Sequence, residues 1–499
     1  HAAADLWSQA LALKMLTVYH DATGDARIPD AVARALRKLD RVIDRNPLSK
    51  WGQFRWFEFL IALWWLYDRE ADPAWLDLAI KLQAQGFHWR DFFAHWPLTA
   101  ATEKGRWNYA GHVVNNAMAI KEGGLWWRLS RREADRQAPG RMLAALDRHH
   151  GMPTGLFTGD ECLAGLDAAQ GTELCAVVEF LFSLECLASL LGDAAFADRM
   201  EQIAFNALPA TFSPDMWAHQ YDQQLNQIAC SIRPDRNWTT NGPESNLFGL
   251  EPNYGCCTAN LSQGWPKFAA SLWMRAADGA PVAMAYAPSR LKADIGGVPV
   301  EIELETDYPF RADLQFTIRP AQPVRFPLLL RIPAWCQAPA VTVAGHAHPA
   351  SPSQGFLRIE RLWEGRQTVR LSLPMETRLI PRPRGALSVS RGPLLFALPL
   401  TETWTPIHRD KPGREPPHGD WDVQSPSAWN YALALPESHP ESAFSFAESP
   451  IPESVFTADA PPVTGTVLGR RVPEWHAAQG SAAPPPDSPV AVATPAEAL

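Results

Sequence analysis

No stretch of this chain reads as an unbroken apolar run of the ~18–20 residues that a membrane-spanning helix requires. "FEFLIALWWLYD" comes nearest, and charge flanks it. Basic runs are missing too: 45 Lys and Arg face 54 Asp and Glu, giving a net charge of −9 and a pI near 5.9. That balance argues against non-specific binding to nucleic acid. Cysteine is scarce and odd in number, seven in 499 residues, which excludes a disulfide framework. With 46% hydrophobic and 20% charged residues, disorder is excluded as well. A chain of 499 residues exceeds what one ordinary core serves, so two or three domains are expected. The first residue is His1, and "HAAADLWSQALALKMLTVYHDATGD" reads as the middle of a helical segment. An upstream part is therefore expected, a secretory signal among the candidates, and cytoplasmic and periplasmic residence both stay open.

What the chain does have is tryptophan, 21 residues of it. Large helix–helix cores account for most of them, and some are expected to line a cleft, where indole faces stack on sugar rings. Residues 1–275 show apolar positions at three- and four-residue spacing, as in "TELCAVVEFLFSLECLASLLGD" and "GHVVNNAMAIKEGGLWWRLS". Helices are expected to start at Asp72–Pro73 and at a Thr172 cap before Glu173. Paired helices of this number fit an (α/α)6 toroid over 1–277. Near residue 280 the pattern turns to strict alternation, in "VPVEIELETDYPF", "ADLQFTIRP" and "QTVRLSLPM", which predicts an antiparallel β-sandwich of jelly-roll type over 278–400. Residues 401–475 are read as a second β-rich segment, with 405–426 a polar Pro/Gly loop. The Ala/Pro-rich 476–499 is read as a flexible tail.

Six of the seven cysteines, Cys162, Cys175, Cys186, Cys230, Cys256 and Cys257, lie within about a hundred residues, with Cys336 apart. Such clustering points to a metal or a reactive thiol before a staple. Glu173 and Cys175 stand two apart at a helix start, where i and i+2 can converge. Together with the adjacent Cys256 and Cys257 they would make four ligands, enough for tetrahedral zinc, which thiolates favour over magnesium or calcium. Cys175 in "LCAVV" fits a core position equally well.

"GDE" followed by "TELC", the "GCCTAN" segment and "YDQQLNQ" resemble glycoside hydrolase family 127, the β-L-arabinofuranosidases. "TDYPF", "LLLRIPAW", "LWEGRQTVRLSLPMETRL" and "SRGPLLFALPL" continue the likeness over most of 100–480. The resemblance implies a zinc site at Glu173, Cys175, Cys256 and Cys257, with Cys256 the nucleophile and Glu161 the general acid/base. Asp160 is the fallback for Glu161. It further implies sugar-hydroxyl contacts, for which His112, His150 and Tyr221 are the candidates, though each also suits a core or capping role. The amides of Gln223, Gln224, Asn226 and Gln227 either orient hydroxyls or brace a loop. Asn260 either bonds a sulfur or caps the next helix.

The implied reaction is retaining exo-hydrolysis of an arabinose-containing glycan, with a thiolate in place of one of the usual two carboxylates. Glu161 would have to start protonated, so its pKa is expected to be raised by burial or by the negative cluster. A non-catalytic glycan-binding protein clipped by structural zinc, and a toroid-fold epimerase or lyase, are the competing classes. A carbohydrate is the expected partner, with a homodimer allowed.

Overall fold

The computed structural model describes residues 6–236, 238, 241–250 and 255–499. Helices run from Leu6–Thr23 to Gly264–Ala270, and strands take over from Trp273–Arg275 onward. The change of hydrophobic period near residue 280 is thus the change of architecture: a helical region followed by a β-rich one.

The helix Leu174–Leu191 is central to the helical region. It packs against Val113–Ala119, Gly255–Leu261 and Ala194–Gln202, and most of its residues are buried. With a mean hydropathy of 2.0 over 18 residues it is long and apolar enough to cross a membrane, contrary to the expectation that no stretch qualifies. It is a core helix instead, apolar nearly all round because neighbours cover most of its surface. Its two acids are held inside. Glu179 lies 3.9 Å from Lys14, which also reaches Glu58 at 3.6 Å. Lys121 pairs with Glu58 at 2.5 Å and bonds Ser183 at 3.2 Å. Gly192 ends the helix at φ +66, where its N–H reaches Ala188 O at 3.0 Å, a left-handed stop that glycine adopts freely.

Two sheets form the β-rich layer pair. The six-stranded one runs His346–His348, Ala340–Val343, Gln367–Ser372, Asp313–Pro320, Val298–Thr306, Ser289–Ile295, all antiparallel. The four-stranded one runs Phe356–Trp363, Val324–Arg331, Pro281–Ala283, Trp273–Arg275. One of its pairs, Leu329 beside Val282, is parallel, a departure from the all-antiparallel expectation. Alternate residues face inward: Val300, Ile302 and Leu304 on one strand, Leu314, Phe316 and Ile318 on the next, all buried. The Phe316 ring meets Trp273 across the gap at 6.0 Å.

Arg331 fastens the two regions together. Fully buried, it pairs with Asp198 and with Glu201, which also accepts from the Tyr308 hydroxyl and the Tyr286 N–H. Removing one partner of such a pair costs about 3–5 kcal/mol, because the other charge stays buried.

The C-terminal segments fold back over the helical region's loops. The 405–426 stretch, expected as a loop, contributes strands Thr403–Ile407 and Asp420–Gln424, and the latter pairs with Ala229–Cys230. Residues 476–499, expected as a flexible tail, carry short strands at Ala477–Ala478, Ser481–Ala482 and Ala496–Ala498. They are held by polar bonds that composition does not reveal: the Ser481 hydroxyl receives Gln224 Nε2 at 2.9 Å and Arg236 Nη1 at 3.1 Å.

Candidate functional site

Cys256 and Cys257 open the helix Gly255–Leu261. Adjacent helical residues point about 100° apart, so the two thiols differ sharply: Cys257 is buried and Cys256 exposed. That helix lies against the start of Leu174–Leu191. Before it, Thr172–Glu173 is a short strand rather than a Thr172 cap, and Glu173 holds the N-cap position in extended conformation. The turn from strand to helix is what brings residues 173 and 175 to the same side. Cys175 Sγ lies 3.5 Å from Cys257 Sγ. The ligand atoms of Glu173, Cys175, Cys256 and Cys257 all lie within 4.8 Å of one another.

The ligand atoms of a second set, His112, Glu161 and Glu173, also lie within 4.8 Å of one another, and the two sets share Glu173. Glu161 sits between two-residue strands, Gly159–Asp160 and Cys162–Leu163, which pair with each other. So tight a reversal forces Glu161 to φ +82, a region that costs a side-chain-bearing residue of order 1–3 kcal/mol. Its carbonyl is tied down by Val113 N at 2.7 Å. Three donors converge on its carboxylate: the Tyr221 hydroxyl on Oε1 at 2.6 Å, Trp107 Nε1 on Oε2 at 3.0 Å, and His112 Nε2 at 3.2 Å from Oε2.

These contacts set the electrostatics. Burial alone would raise the Glu161 pKa, but the bonds from His112, Tyr221 and Trp107 outweigh it and hold the carboxyl at about 2. The expected upward shift is therefore corrected: Glu161 is ionised here, because three donors favour the charged form. Glu173 behaves oppositely. Burial, then the charges of Glu161, Cys256 and Asp222, push it well above 4.5, and its Oε2 has no hydrogen-bond partner among the described residues. Among the sulfurs, bonds from Cys175 and Cys257 lower the Cys256 pKa, while those of its two partners rise. Negative charge in the trio thus gathers on the exposed sulfur.

The donor set suits zinc. Three thiols sit together without a disulfide, beside a carboxylate oxygen that lacks a partner among the described residues, and sulfur-rich four-donor sites favour zinc over harder cations.

The other candidates divide. Tyr221 and His112 are buried and point at Glu161. His150 is fully buried with both ring nitrogens committed to backbone, Nδ1 to Gly165 N at 2.9 Å and Nε2 to Leu98 O at 2.8 Å. It braces the 151–165 loop and has no nitrogen left for a sugar. Asp160 is fully buried, and its charge, after burial itself, raises the neighbouring Asp222. Gln223 and Gln224 bond Ala207 O and Ala169 O, and so act as braces. Asn260 lies within the helix Gly255–Leu261 and its Oδ1 accepts from Gln263 Nε2 at 3.1 Å; Gln263, not Asn260, holds the N-cap position of the next helix, Gly264–Ala270. Trp107, Trp51 and Arg55 were missed. Trp51 meets Trp107, Tyr109 and His112 edge-on at 5.6, 5.0 and 5.1 Å. Nothing in a single sequence separates these two tryptophans from the other nineteen.

Comparison with known proteins gives two matching family models and several structures of similar fold. The family model described as β-L-arabinofuranosidase, GH127 catalytic domain, matches residues 3–270, and the GH127 middle domain matches 282–375. No curated protein matches. Among solved structures, a GH127 β-L-arabinofuranosidase from Geobacillus stearothermophilus T6 is similar at 19% identity and a TM-score of 0.68, covering 98% of this chain and 75% of that one. A structure titled only as a glycoside hydrolase is similar at 16% identity and 0.66, covering 92% and 75%. A third, described as a GH127 β-arabinofuranosidase, is similar at 19% and 0.60, covering 88% and 73%. At such identities the likeness to solved structures shows shared fold.

Proposed function

We propose, for a chain that belongs to the GH127 β-L-arabinofuranosidase family and is a glycosidase, that it releases L-arabinofuranose or a closely related sugar from β-linked glycans with retention of configuration. Cys256 is the nucleophile and Glu161 the acid/base. One observation carries this reading: four donor atoms, from Glu173, Cys175, Cys256 and Cys257, converge within 4.8 Å, and Glu161 joins them through Glu173. Glu173, Cys175, Cys256 and Cys257 would hold a zinc ion. Bound there, zinc would keep the thiols ionised and fix the direction of the Cys256 sulfur.

In the first step the Cys256 thiolate attacks the anomeric carbon. A C–S bond forms, the C–O bond to the leaving group breaks, and protonated Glu161 gives its proton to the departing oxygen. In the second step water attacks the same carbon, Glu161 takes the water proton, and Cys256 leaves as thiolate. Two inversions give net retention. The ionised Glu161 of this structure is the form that the second step uses; the first step needs the protonated form, so a proton is taken up together with the substrate. Tyr221 and His112 orient that carboxylate, and the exposed indole of Trp107 offers a face to the sugar.

The competing class, a structural zinc clip, is disfavoured by burial. Glu173, Cys175 and Cys257 are buried while Cys256 is open to the surface, whereas a structural site gains nothing from exposing one ligand. Metal analysis of the purified protein, a screen of aryl glycosides, and labelling by an electrophilic arabinofuranose analogue test the reading together. Stoichiometric zinc, label on Cys256 and a product of retained configuration by NMR are expected. An inverted, isomerised or unsaturated product would overturn it. So would zinc-loaded protein that neither cleaves any glycoside nor takes the label.

A further inference from the structure

Three soft donors and a carboxylate around a dication leave a cluster of net charge near −2, and a buried net charge needs a counter-charge close by. Arg55 stands where one is needed. It follows the short helix Lys50–Phe54, half-buried, with its guanidinium between two indoles, 4.6 Å from the Trp7 ring centroid and 4.4 Å from that of Trp51. Nε donates to Asn115 Oδ1 at 2.6 Å. Asn115 in turn gives its backbone N–H to His112 Nδ1 at 3.2 Å. Trp51, which stacks on the guanidinium, also meets the His112 ring at 5.1 Å, and His112 has its ligand atom within 4.8 Å of that of Glu173. The charges of Glu179 and Glu58 of the buried ion network, then of Glu173 and Cys175 of the cluster, act on Arg55. An arginine keeps its charge even where neighbours strip its water.

We propose that Arg55 is the positioning residue that compensates the charge of the Glu173–Cys175–Cys256–Cys257 cluster, and that its positive charge, not only its bond to Asn115, sets how tightly the metal is kept. This rests on the zinc–thiolate reading above. Arg55 is neither ligand nor nucleophile. Its cation is held beside His112, through Asn115 and Trp51, and two indoles flank it. The linkage to Asn115 offers a purely structural alternative, since Asn115 helps to hold His112, so charge and bond must be separated.

The separating experiment compares wild type, Arg55→Lys, Arg55→Gln and Arg55→Met. For each, zinc content is measured as purified, together with the rate of zinc loss to excess EDTA and the melting curve. Arg55→Lys is expected to lose zinc at close to the wild-type rate. Arg55→Met and Arg55→Gln are expected to lose it about tenfold faster. Equal loss in Lys and Met variants would show that the shape of the guanidinium matters and its charge does not. Wild-type retention in Arg55→Gln, or unchanged retention with a raised KM, would likewise overturn the proposal, the latter making Arg55 a substrate contact. If Arg55→Met does not fold, the Lys–Gln comparison decides. Wild-type protein that binds no stoichiometric zinc would sink the zinc reading itself. Wild type that binds zinc while all variants keep it equally would sink only the role of Arg55.

Discussion

His112 Nε2 lies 3.2 Å from Glu161 Oε2, and the opposite nitrogen of the same ring accepts the Asn115 backbone N–H at 3.2 Å. A nitrogen that accepts carries no proton, so the proton of the neutral ring sits on Nε2 and points at Glu161. Burial lowers the His112 pKa below 6.5, with the Arg55 charge acting in the same direction and the Glu161 carboxylate opposing. His112 is therefore a neutral, tautomer-fixed donor near neutral pH.

Replacing His112 by Phe removes a donor to the charged form of Glu161, and loss of such a donor raises a carboxyl pKa. The limb of the kcat/KM profile on which Glu161 loses its proton is expected to move upward by roughly half to one pH unit, so that kcat/KM at a given pH on that limb rises about three- to tenfold. A pH–rate profile of the variant checks both. An unmoved limb would show that His112 does not act through Glu161.

Cys256 and Cys257 should part company on mutation. Cys256 is exposed, so Cys256→Ala should leave the melting curve of the metal-free protein nearly unchanged while lowering kcat by about 10³-fold or more. Cys257 is fully buried, so Cys257→Ala leaves a small void and costs about 1 kcal/mol besides losing the metal. Melting curves and metal content measured side by side distinguish the two. Matching melts, or turnover that survives in Cys256→Ala, would refute the division of roles.

Much of this was legible in the sequence, and the rest was hidden for physical reasons. Period alone divides helices from strands, because burial on one face repeats every 3.6 or every 2 residues. The partnership of Glu173, Cys175, Cys256 and Cys257 came from spacing and family likeness. The state of Glu161 was not legible, since it depends on Trp107 and Tyr221, which lie 54 and 60 residues away. The role of His150, open between sugar contact and core, was not legible because a histidine committed to backbone on both nitrogens has the same letter as one facing a sugar. The Ala/Pro-rich C-terminal stretch misled because composition cannot show that Ser481 is buried against Gln224 and Arg236.

Metal retention should depend on pH with a definite sign. Burial lifts Glu173 well above 4.5, the bond to Cys256 with burial behind it lifts Cys175, and burial lifts Cys257. For Glu173 the folded pKa exceeds the unfolded one, so metal-free stability falls as pH climbs past 4.5 toward the folded value. Binding a dication requires these groups ionised and releases their protons, so affinity climbs over the same range. The gap in Tm between zinc-loaded and EDTA-treated protein is expected to widen from about pH 6 to about pH 8.5. A gap that is constant across that range would mean that the thiols are not the ligands.

The hairpin that carries Glu161 leaves no room at its base. A Cβ on Gly159 would stand 2.4 Å from Val113 Cβ and 2.5 Å from its Cγ2, and Val113 is fully buried at the first turn of Val113–Ala119. Gly159→Ala must therefore push hairpin and helix apart, a change that typically costs about 1–3 kcal/mol. The same displacement strains the bond from Val113 N to Glu161 O, which holds Glu161 at its positive φ. Because proximity effects make catalysis sensitive to shifts of about 1 Å, kcat should fall roughly 10²-fold, more than the stability loss alone would suggest. Moving the carbon to the other partner tests the cause. Val113→Gly added to Gly159→Ala removes the colliding Cβ, so the pair should recover at least tenfold of the lost kcat, although glycine in the helix costs about 1 kcal/mol. Recovery of activity without recovery of stability would place the effect at the Glu161 hairpin. If the double variant stays as inactive as Gly159→Ala, the Gly159–Val113 contact is not what aims the carboxylate.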